Sequence, residues 1–337
     1  MTKFTRRQTL GLLGAAAAAP MLGKPAYANT SIKVGALRFT SHAASFVAFE
    51  RGYFADAGLD VEFEFFQAAQ PMALAIASGD ADYAVTAVSG ALISLAERGA
   101  TKVIGGALSE EPGVDGQKIV VSNGAHAAGL TSPAELNGRT WAVTQAGSSF
   151  HYMGSKIAGA EGAEVEFQPL QGVGNIIGAI RSDQVDAWSI VPHIAKPLGA
   201  SGAVQIIGDV SDYLPNYQVT TVFTSTENAA SERAKTEAFI AAFSRGAADF
   251  NAALVDKTQG DDGAEEMVQL IHKYVYTDRE LDAARGPIVN GAMRINEGAA
   301  LNTTSLQDQM NWFKSEGLID ESASMDNLVD SSYVDTM

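Results

Sequence analysis

Between Leu59 and Phe65 apolar residues alternate with acids, Leu59, Val61, Phe63 and Phe65 against Asp60, Glu62 and Glu64. A period of two is that of a strand with one buried face. Pro71–Ser78 then carries a short helical pattern. Gly79 closes it, because glycine takes the left-handed backbone of a helix stop without strain. Asp82–Ala87 reads as the next strand, and Ser89 caps a helix over 90–98 that Gly99 ends. A similar order recurs downstream. Ser132-Pro133-Ala134-Glu135 is a capping box with proline at the first helical position. Trp141–Thr144 is a strand, and Ser148 or Ser149 opens the helix after it. Strands alternating with helices predict an α/β fold with parallel sheets and right-handed crossovers.

The recurrence is a repeat. At an offset of 104 residues, 11 of the 40 positions 45–84 are identical to their partners. Gly58, Val61, Glu62 and Phe63 meet Gly162, Val165, Glu166 and Phe167. Gln67 meets Gln171, Ala75-Ile76 meets Ala179-Ile180, and Asp82 meets Asp186. A period near 100 residues is too long for a solenoid and suits two similar lobes. Beyond Thr220 the repeat stops. Glu227–Leu254, Glu265–Tyr274, Pro287–Asn296 and Ser305–Glu316 read as helices, with Trp312 and Phe313 placed to dock on a core. A third domain or a return to the first lobe would both use such helices, and the return is favoured.

Composition narrows the function classes. The 337 residues are 46% hydrophobic and 18% charged, with a formal charge of −16. Such acidity repels the nucleic-acid backbone. Cysteine is absent, which excludes disulfides, thiolate metal sites and cysteine nucleophiles. Residues 1–28 stand apart: Arg6-Arg7 precede an apolar stretch from Leu10 to Leu22, and Ala26-Tyr27-Ala28 supplies small residues for a peptidase. This resembles a twin-arginine export signal, although Thr9 stands where phenylalanine is often found. Its loss takes away four basic residues and no acid, leaving −20 on a chain that starts near Asn29. No later apolar run is long enough to span a membrane.

Several fragments, in order, resemble a known family. They are Ala48-x-x-x-Gly52-Tyr53-Phe54-x-x-x-Gly58-Leu59-x-Val61, Ala73-x-Ala75-x-x-x-Gly79-x-x-Asp82, and Leu136-x-Gly138-Arg139 followed by Val143 and Gly147-Ser148-Ser149. The chain is similar over roughly residues 32–225 to periplasmic substrate-binding proteins of ABC importers. The branch is that for nitrate, sulfonates, taurine and thiamine-precursor pyrimidines. The resemblance implies a two-lobed, type II-like α/β fold, with parallel or mixed sheets flanked by helices and a ligand cleft between the lobes. Lobe one would be 29–120 plus 221–337 and lobe two 121–220, hinged at 118–122 and 219–225. It also implies a membrane permease and its ATPase as partners, a periplasmic location and a monomer.

In open α/β sheets ligands bind beyond the carboxyl ends of strands, where helix N-termini point. The repeat places these loops at Phe39–Ser45, Gln67–Gln70 and Thr86–Ser89 in lobe one. In lobe two they are Gln145–His151, Gln171–Gly174 and Ile190–His193. The candidate ligand residues are therefore Thr40, His42, Gln67, Thr86, Ser89, Ser148, Ser149, His151, Trp188 and His193. Ser148 and Ser149 serve equally as helix caps or ligand contacts, and Trp188 as a flat wall or a core residue. Lobe two has Ser148 and His151 where lobe one has Ala44 and Val47, which makes that helix start the candidate polar anchor. Arg38 is a candidate anion anchor or a solvated side chain.

Other chemistry is not indicated. Gly172-x-Gly174-x-x-x-Gly178 has the wrong spacing for a dinucleotide loop, and its lobe-one copy lacks the glycines. Gln259–Glu266 is acidic but lacks a calcium-loop spacing and reads as a linker and helix start. The expectation is a binding protein without cofactor, metal or catalysis. Its ligand would be a small organic anion or an aromatic or heterocyclic compound, an aromatic acid satisfying both preferences. The rival readings are a binding module for a sensor or chemoreceptor, and an enzyme on the same fold related to pyrimidine synthases.

Overall fold

The computed structural model describes residues 30–337. The leader assigned to residues 1–28 and the start at Asn29 lie outside the described residues. The ten strands are β1 (Thr30–Ala36), β2 (Leu59–Phe65), β3 (Tyr83–Ala87), β4 (Thr101–Gly106), β5 (Lys118–Val121), β6 (Arg139–Val143), β7 (Val165–Pro169), β8 (Ala187–Ile190), β9 (Gln205–Asp209) and β10 (Thr220–Ser225). They form two five-stranded sheets, ordered β2-β1-β3-β10-β4 and β7-β6-β8-β5-β9. In each sheet the first three strands run parallel, and the fourth, β10 or β5, is antiparallel to both neighbours.

The helices of eight residues or more are α1 (Ala43–Glu50), α2 (Ala69–Ser78), α3 (Gly90–Glu97), α4 (Ser149–Ala160), α5 (Val173–Arg181), α6 (Pro192–Ala200), α7 (Arg233–Phe250), α8 (Gly260–His272), α9 (Leu281–Asn290) and α10 (Thr303–Ser315). The repeat is architectural. Helices α2 and α5 begin 104 residues apart, as do β3 and β8, and β4 and β9. The shared aspartates do the same work: Asp82 accepts the Lys33 amide at 2.8 Å, and Asp186 the Thr140 amide at 2.8 Å. Each ties the start of its strand to a neighbouring strand of the sheet.

The two sheets exchange a strand. The chain leaves the first sheet after Gly106 and enters the second at Lys118, then leaves it after Asp209 and returns at Thr220. The crossing segments, 107–117 and 210–219, run side by side. The Val219 amide donates to the Leu108 carbonyl at 2.9 Å, and the Glu110 amide to the Tyr217 carbonyl at 2.9 Å. The stretches expected to hinge, 118–122 and 219–225, are instead largely β5 and β10, inside the sheets. Their apolar and β-branched residues are buried on both faces, the signature of a central strand rather than a connector.

Other departures have local causes. Ser132 and Glu135 do form a capping box, yet only the single turn Pro133–Glu135 follows. Gly138, at a φ of 73°, turns the chain into β6 instead. The helix expected over Glu227–Leu254 breaks at Glu232, whose φ of −113° and ψ of 42° are not helical. Pro287 does not start a helix but sits inside α9, which begins at Leu281. The acidic residues Asp261 and Asp262 occupy the first turn of α8, where the helix dipole favours them. The C-terminal helices straddle both halves. Helices α7 and α8 pack on α1, whereas α9 packs on α6 and α10 reaches α4. No helix of the described residues is long and apolar enough to cross a membrane.

Candidate functional site

The carboxyl ends of β1, β3, β6 and β8 converge on a cavity of about 60 Å³ between the two sheets. Leu37, Thr86, Thr144 and Ile190 bring those strand ends to its wall, Leu108, Gln117 and Val219 bring the crossing segments, and Thr220 the start of β10. Four helical starts also face it, through Ser41-His42, Ala69, Ser149 and Val173. The first amides of a helix have no carbonyl one turn back, so these starts offer N–H donors and positive dipole ends.

The lining contains no arginine, lysine, aspartate or glutamate. Its one titratable group is His42, which burial pushes down to about 3, so the ring is neutral at physiological pH. His42 Nδ1 accepts the Leu37 amide at 3.4 Å, and a further backbone contact is made with Val85. The ring therefore braces the loop after β1. By contrast, Ser41, Gln67, Thr86, Thr144 and Ser149 line the cavity with side chains that, among the described residues, bond to no other protein group. Polar groups at an enclosed wall are normally satisfied. Ser41, Thr86 and Thr144 are buried there, and left uncommitted they mark a place built for a ligand's own donors and acceptors.

Of the residues expected to bind ligand, His42, Gln67, Thr86, Ser148 and Ser149 are at this wall. Five others are not, each for a visible reason. Thr40 is buried in the turn Thr40–His42 with its hydroxyl unpaired. Ser89 is the cap of α3 and accepts the Leu92 amide at 3.2 Å. Trp188 is 0% exposed and lies edge-on to Phe150, with ring centroids 5.5 Å apart; Phe150 lines the cavity in its place. His193 faces an outer cavity. His151 accepts the Gly147 amide on Nδ1 at 3.1 Å, and its ring packs on Phe167 and Trp312 at 4.1 and 5.1 Å. Burial lowers its pKa as well. It positions a loop rather than a ligand. Even Ser148, at the wall, uses its hydroxyl to cap α4 through the His151 amide at 3.4 Å.

That loop joins the halves. The Gly147 carbonyl accepts the Gly90 amide across the cleft at 3.0 Å, and Gly147 holds a φ of 73° that favours glycine. Phe313 of α10 touches both partners: a Cβ at either glycine would start 3.6 Å from its ring. The repeated loops also meet, since a Cβ at Gly172 would lie 3.7 Å from that of Gln67. The cleft is closed in this structure.

Sequence reasoning missed Ser41, Thr144, the crossing residue Gln117 and Thr220 at the start of β10. Thr144 had a signal, being the offset-104 partner of Thr40. Thr220 lay inside the expected hinge 219–225, whereas Gln117 had no signal, because its crossing begins about ten residues before the hinge expected at 118–122.

A family model described as NMT1/THI5-like matches residues 39–253. The chain belongs to that family. The family segment contains nearly the whole cavity wall, from Phe39 to Thr220. Among solved structures, the alkanesulfonate-binding protein SsuA of Xanthomonas axonopodis pv. citri bound to MOPS is similar at 14% identity and a TM-score of 0.70, covering 90% of this chain and 98% of that one. The Candida albicans CA3427 product, described as having the generic periplasmic binding protein fold, matches at 17% identity and a TM-score of 0.69, over 90% and 97% of the two chains. The periplasmic nitrate-binding protein NrtA of Synechocystis PCC 6803 matches at 13% identity and a TM-score of 0.67, over 90% and 87%. The fold of this family member is therefore that of periplasmic binding proteins. No curated protein matches it by sequence at a significant level.

Proposed function

We propose that the chain is the exported solute-binding component of an ABC-type importer, capturing a small organic molecule between its lobes for a permease and its ATPase. The observation that carries this reading is the uncharged cavity at the meeting of two lobes, with the buried, uncommitted hydroxyls of Ser41, Thr86 and Thr144 at its wall. The lobe boundaries expected at 120 and 220 move to the strand exchange, lobe one being built on 30–106 with 220–337 and lobe two on 118–209, the protein acting as a periplasmic monomer delivered by the twin-arginine route. The named relatives that bind alkanesulfonate, MOPS or nitrate support the transport setting. Capture rather than catalysis fits the wall, where the imidazole of His42 is neutral and already accepts a backbone amide. No group there is placed to act as a general base.

Native mass spectrometry and thermal shift against sulfonates, aromatic carboxylates and pyrimidines test the reading. One class should remain bound intact and raise the melting temperature with concentration, by mass action. Conversion of the bound compound to a product would replace capture with catalysis. Small-angle scattering should show a radius of gyration that falls on saturation. A calorimetrically confirmed ligand that leaves the scattering curve unchanged would place binding on a rigid single lobe.

The two neighbouring serines divide cap from contact. Ser149→Ala should weaken binding of that ligand by about 1 kcal/mol, the scale of one hydrogen bond, with little change in stability. Ser148→Ala should lower apo stability by about 1 kcal/mol through the lost cap. Equal loss of affinity and stability in both variants would remove Ser149 from the contact set.

A further inference from the structure

Outside the chamber lies a second cavity of about 510 Å³, which shares Phe39, Gln67 and Val173 with it. The shared residues make it the chamber's vestibule. Its electrostatics are different. Three arginines line it and no carboxylate does. They come from separate parts of the chain: Arg38 follows β1, Arg181 ends α5, and Arg279 lies between α8 and α9. Among the described residues none of the three is in an ion pair, although the chain carries 39 acids. Arg38 rests over the Phe65 ring at 3.7 Å and donates to the Tyr274 carbonyl at 3.2 Å, and Arg279 rests over Tyr276 at 4.6 Å. These contacts hold the guanidinium groups in place without neutralising them.

A second observation is independent of the charges. His193, in the first turn of α6, faces the vestibule and is only 1% exposed, yet neither ring nitrogen has a hydrogen-bond partner. Its ring stands edge-on to Phe39 at 5.3 Å and to Tyr276 at 6.2 Å. The end of α9 presses on it so closely that a Cβ at Gly291 would lie 2.3 Å from the His193 Cβ. That contact fixes the backbone beneath the ring, and Phe39 and Tyr276 flank the ring itself. Burial and the nearby His42 hold its pKa down to about 3, so it is neutral, with one N–H to donate.

We propose that the vestibule is an oxyanion subsite, taking the carboxylate, sulfonate or phosphate at the outer end of an elongated ligand whose uncharged end fills the chamber. The arginines supply charge-assisted hydrogen bonds, and His193 supplies one neutral donor. Arg38 follows a strand of the first sheet and Arg181 ends a helix of the second lobe, so an anion held by both is held by both lobes. On an acidic protein, a local basic mouth also draws an anion to the cleft it would otherwise be repelled from. This rests on the solute-binding reading above and adds the shape and charge of the solute.

The test is calorimetry on the exported chain with three probes: inorganic phosphate, benzyl alcohol and benzyl phosphate. Phosphate should bind alone, and benzyl phosphate should bind more tightly than either other probe. Arg38→Gln, Arg181→Gln and Arg279→Gln should each weaken phosphate and benzyl phosphate about ten-fold, the scale of one charge-assisted contact, and leave benzyl alcohol unchanged. His193→Gln should weaken both phosphate probes, and melting temperatures should confirm that every variant is folded. No phosphate binding, or phosphate binding indifferent to the arginines, overturns the subsite. Benzyl phosphate binding no more tightly than phosphate overturns the elongated ligand. Solute capture itself stands or falls on the separate ligand panel, so an organic ligand bound without regard to the arginines would sink the subsite and leave that reading in place.

Discussion

Acidification should destabilise the protein in two stages, and Glu110→Gln should sharpen the first. His42 and His193 are neutral in the folded state, with pKa values pushed by burial from 6.5 to about 3. The unfolded chain protonates both near pH 6.5. Between about pH 6.5 and 3 these two groups therefore bind two more protons in the unfolded state than in the native one, His151 acts in the same direction, and stability falls as pH falls. Glu110 works in the opposite direction. It is buried in a crossing segment, accepts the Gln117 amide at 3.0 Å, and burial pushes its carboxyl from 4.5 up to about 7. The native state takes up that proton first, so Glu110 contributes stability at low pH that is lost as pH rises through 7. From 6.5 to 4.5 Glu110 offsets part of the histidine protons, and the fall of stability is shallower than it would be without it. Below 4.5 the offset ends and the slope steepens. Urea unfolding followed by circular dichroism at pH 8, 6, 5 and 4 measures this. Glu110→Gln keeps the acceptor for Gln117 and removes the titration, so its stability should fall more steeply than the parent's between pH 6.5 and 4.5. A variant whose stability is flat between pH 6.5 and 4.5 would show that the two imidazoles are solvated rather than buried.

Those imidazoles show how the sequence was informative and where it stopped. Three histidines stood in or beside the six loops at the strand ends, and the structure puts all three near the cleft. Their roles were not legible. His42 and His151 each accept a backbone amide four or five residues upstream, Leu37 and Gly147. Such a bond depends on the turn of the intervening chain, which residue types do not specify. The repeat was legible because it is carried by residues whose jobs are local: Asp82 and Asp186 each fix a strand start, and Gly58 and Gly162 each turn a helix into a strand. The strand exchange was half legible. Lys118–Val121 and Thr220–Ser225 are the right segments, but an extended apolar run reads alike as a crossing or as a central strand. Only pairing to both neighbours decides, and pairing is non-local. The same limit hid the uncommitted hydroxyls. A serine before a helix is a cap or a free donor depending on one side-chain torsion, which separates Ser148 from Ser149.

Replacing Gly246 by valine should cost more than any single change at the cavity wall, although Gly246 touches no ligand-facing residue. It lies in α7 where that helix crosses α1, and a Cβ there would be 2.2 Å from the Ala44 carbonyl oxygen and 2.8 Å from the Ala48 nitrogen. Those two atoms stand four residues apart on α1, at the spacing of one turn's hydrogen bond. Neither is the end of a flexible side chain, so one helix must move. Overpacking in a core costs about 1–3 kcal/mol and more when backbone is the obstacle, so Gly246→Val should unfold the chain or lower its stability by about 4 kcal/mol. Gly246→Ala is the graded case. Alanine gains about 1 kcal/mol of helix propensity over glycine, so a net loss of even about 1 kcal/mol would report about 2 kcal/mol of clash. Because α1 follows the turn that sets Ser41 and His42 at the cavity, the alanine variant should also bind ligand more weakly. Gly159 in α4 is the control: it is exposed, no atom lies within 4 Å of its added Cβ, and Gly159→Ala should stabilise by about 0.5–1 kcal/mol. If Gly246→Ala stabilises as Gly159→Ala does, α7 and α1 are not in backbone contact, and the long C-terminal helix does not hold the first wall of the site in place.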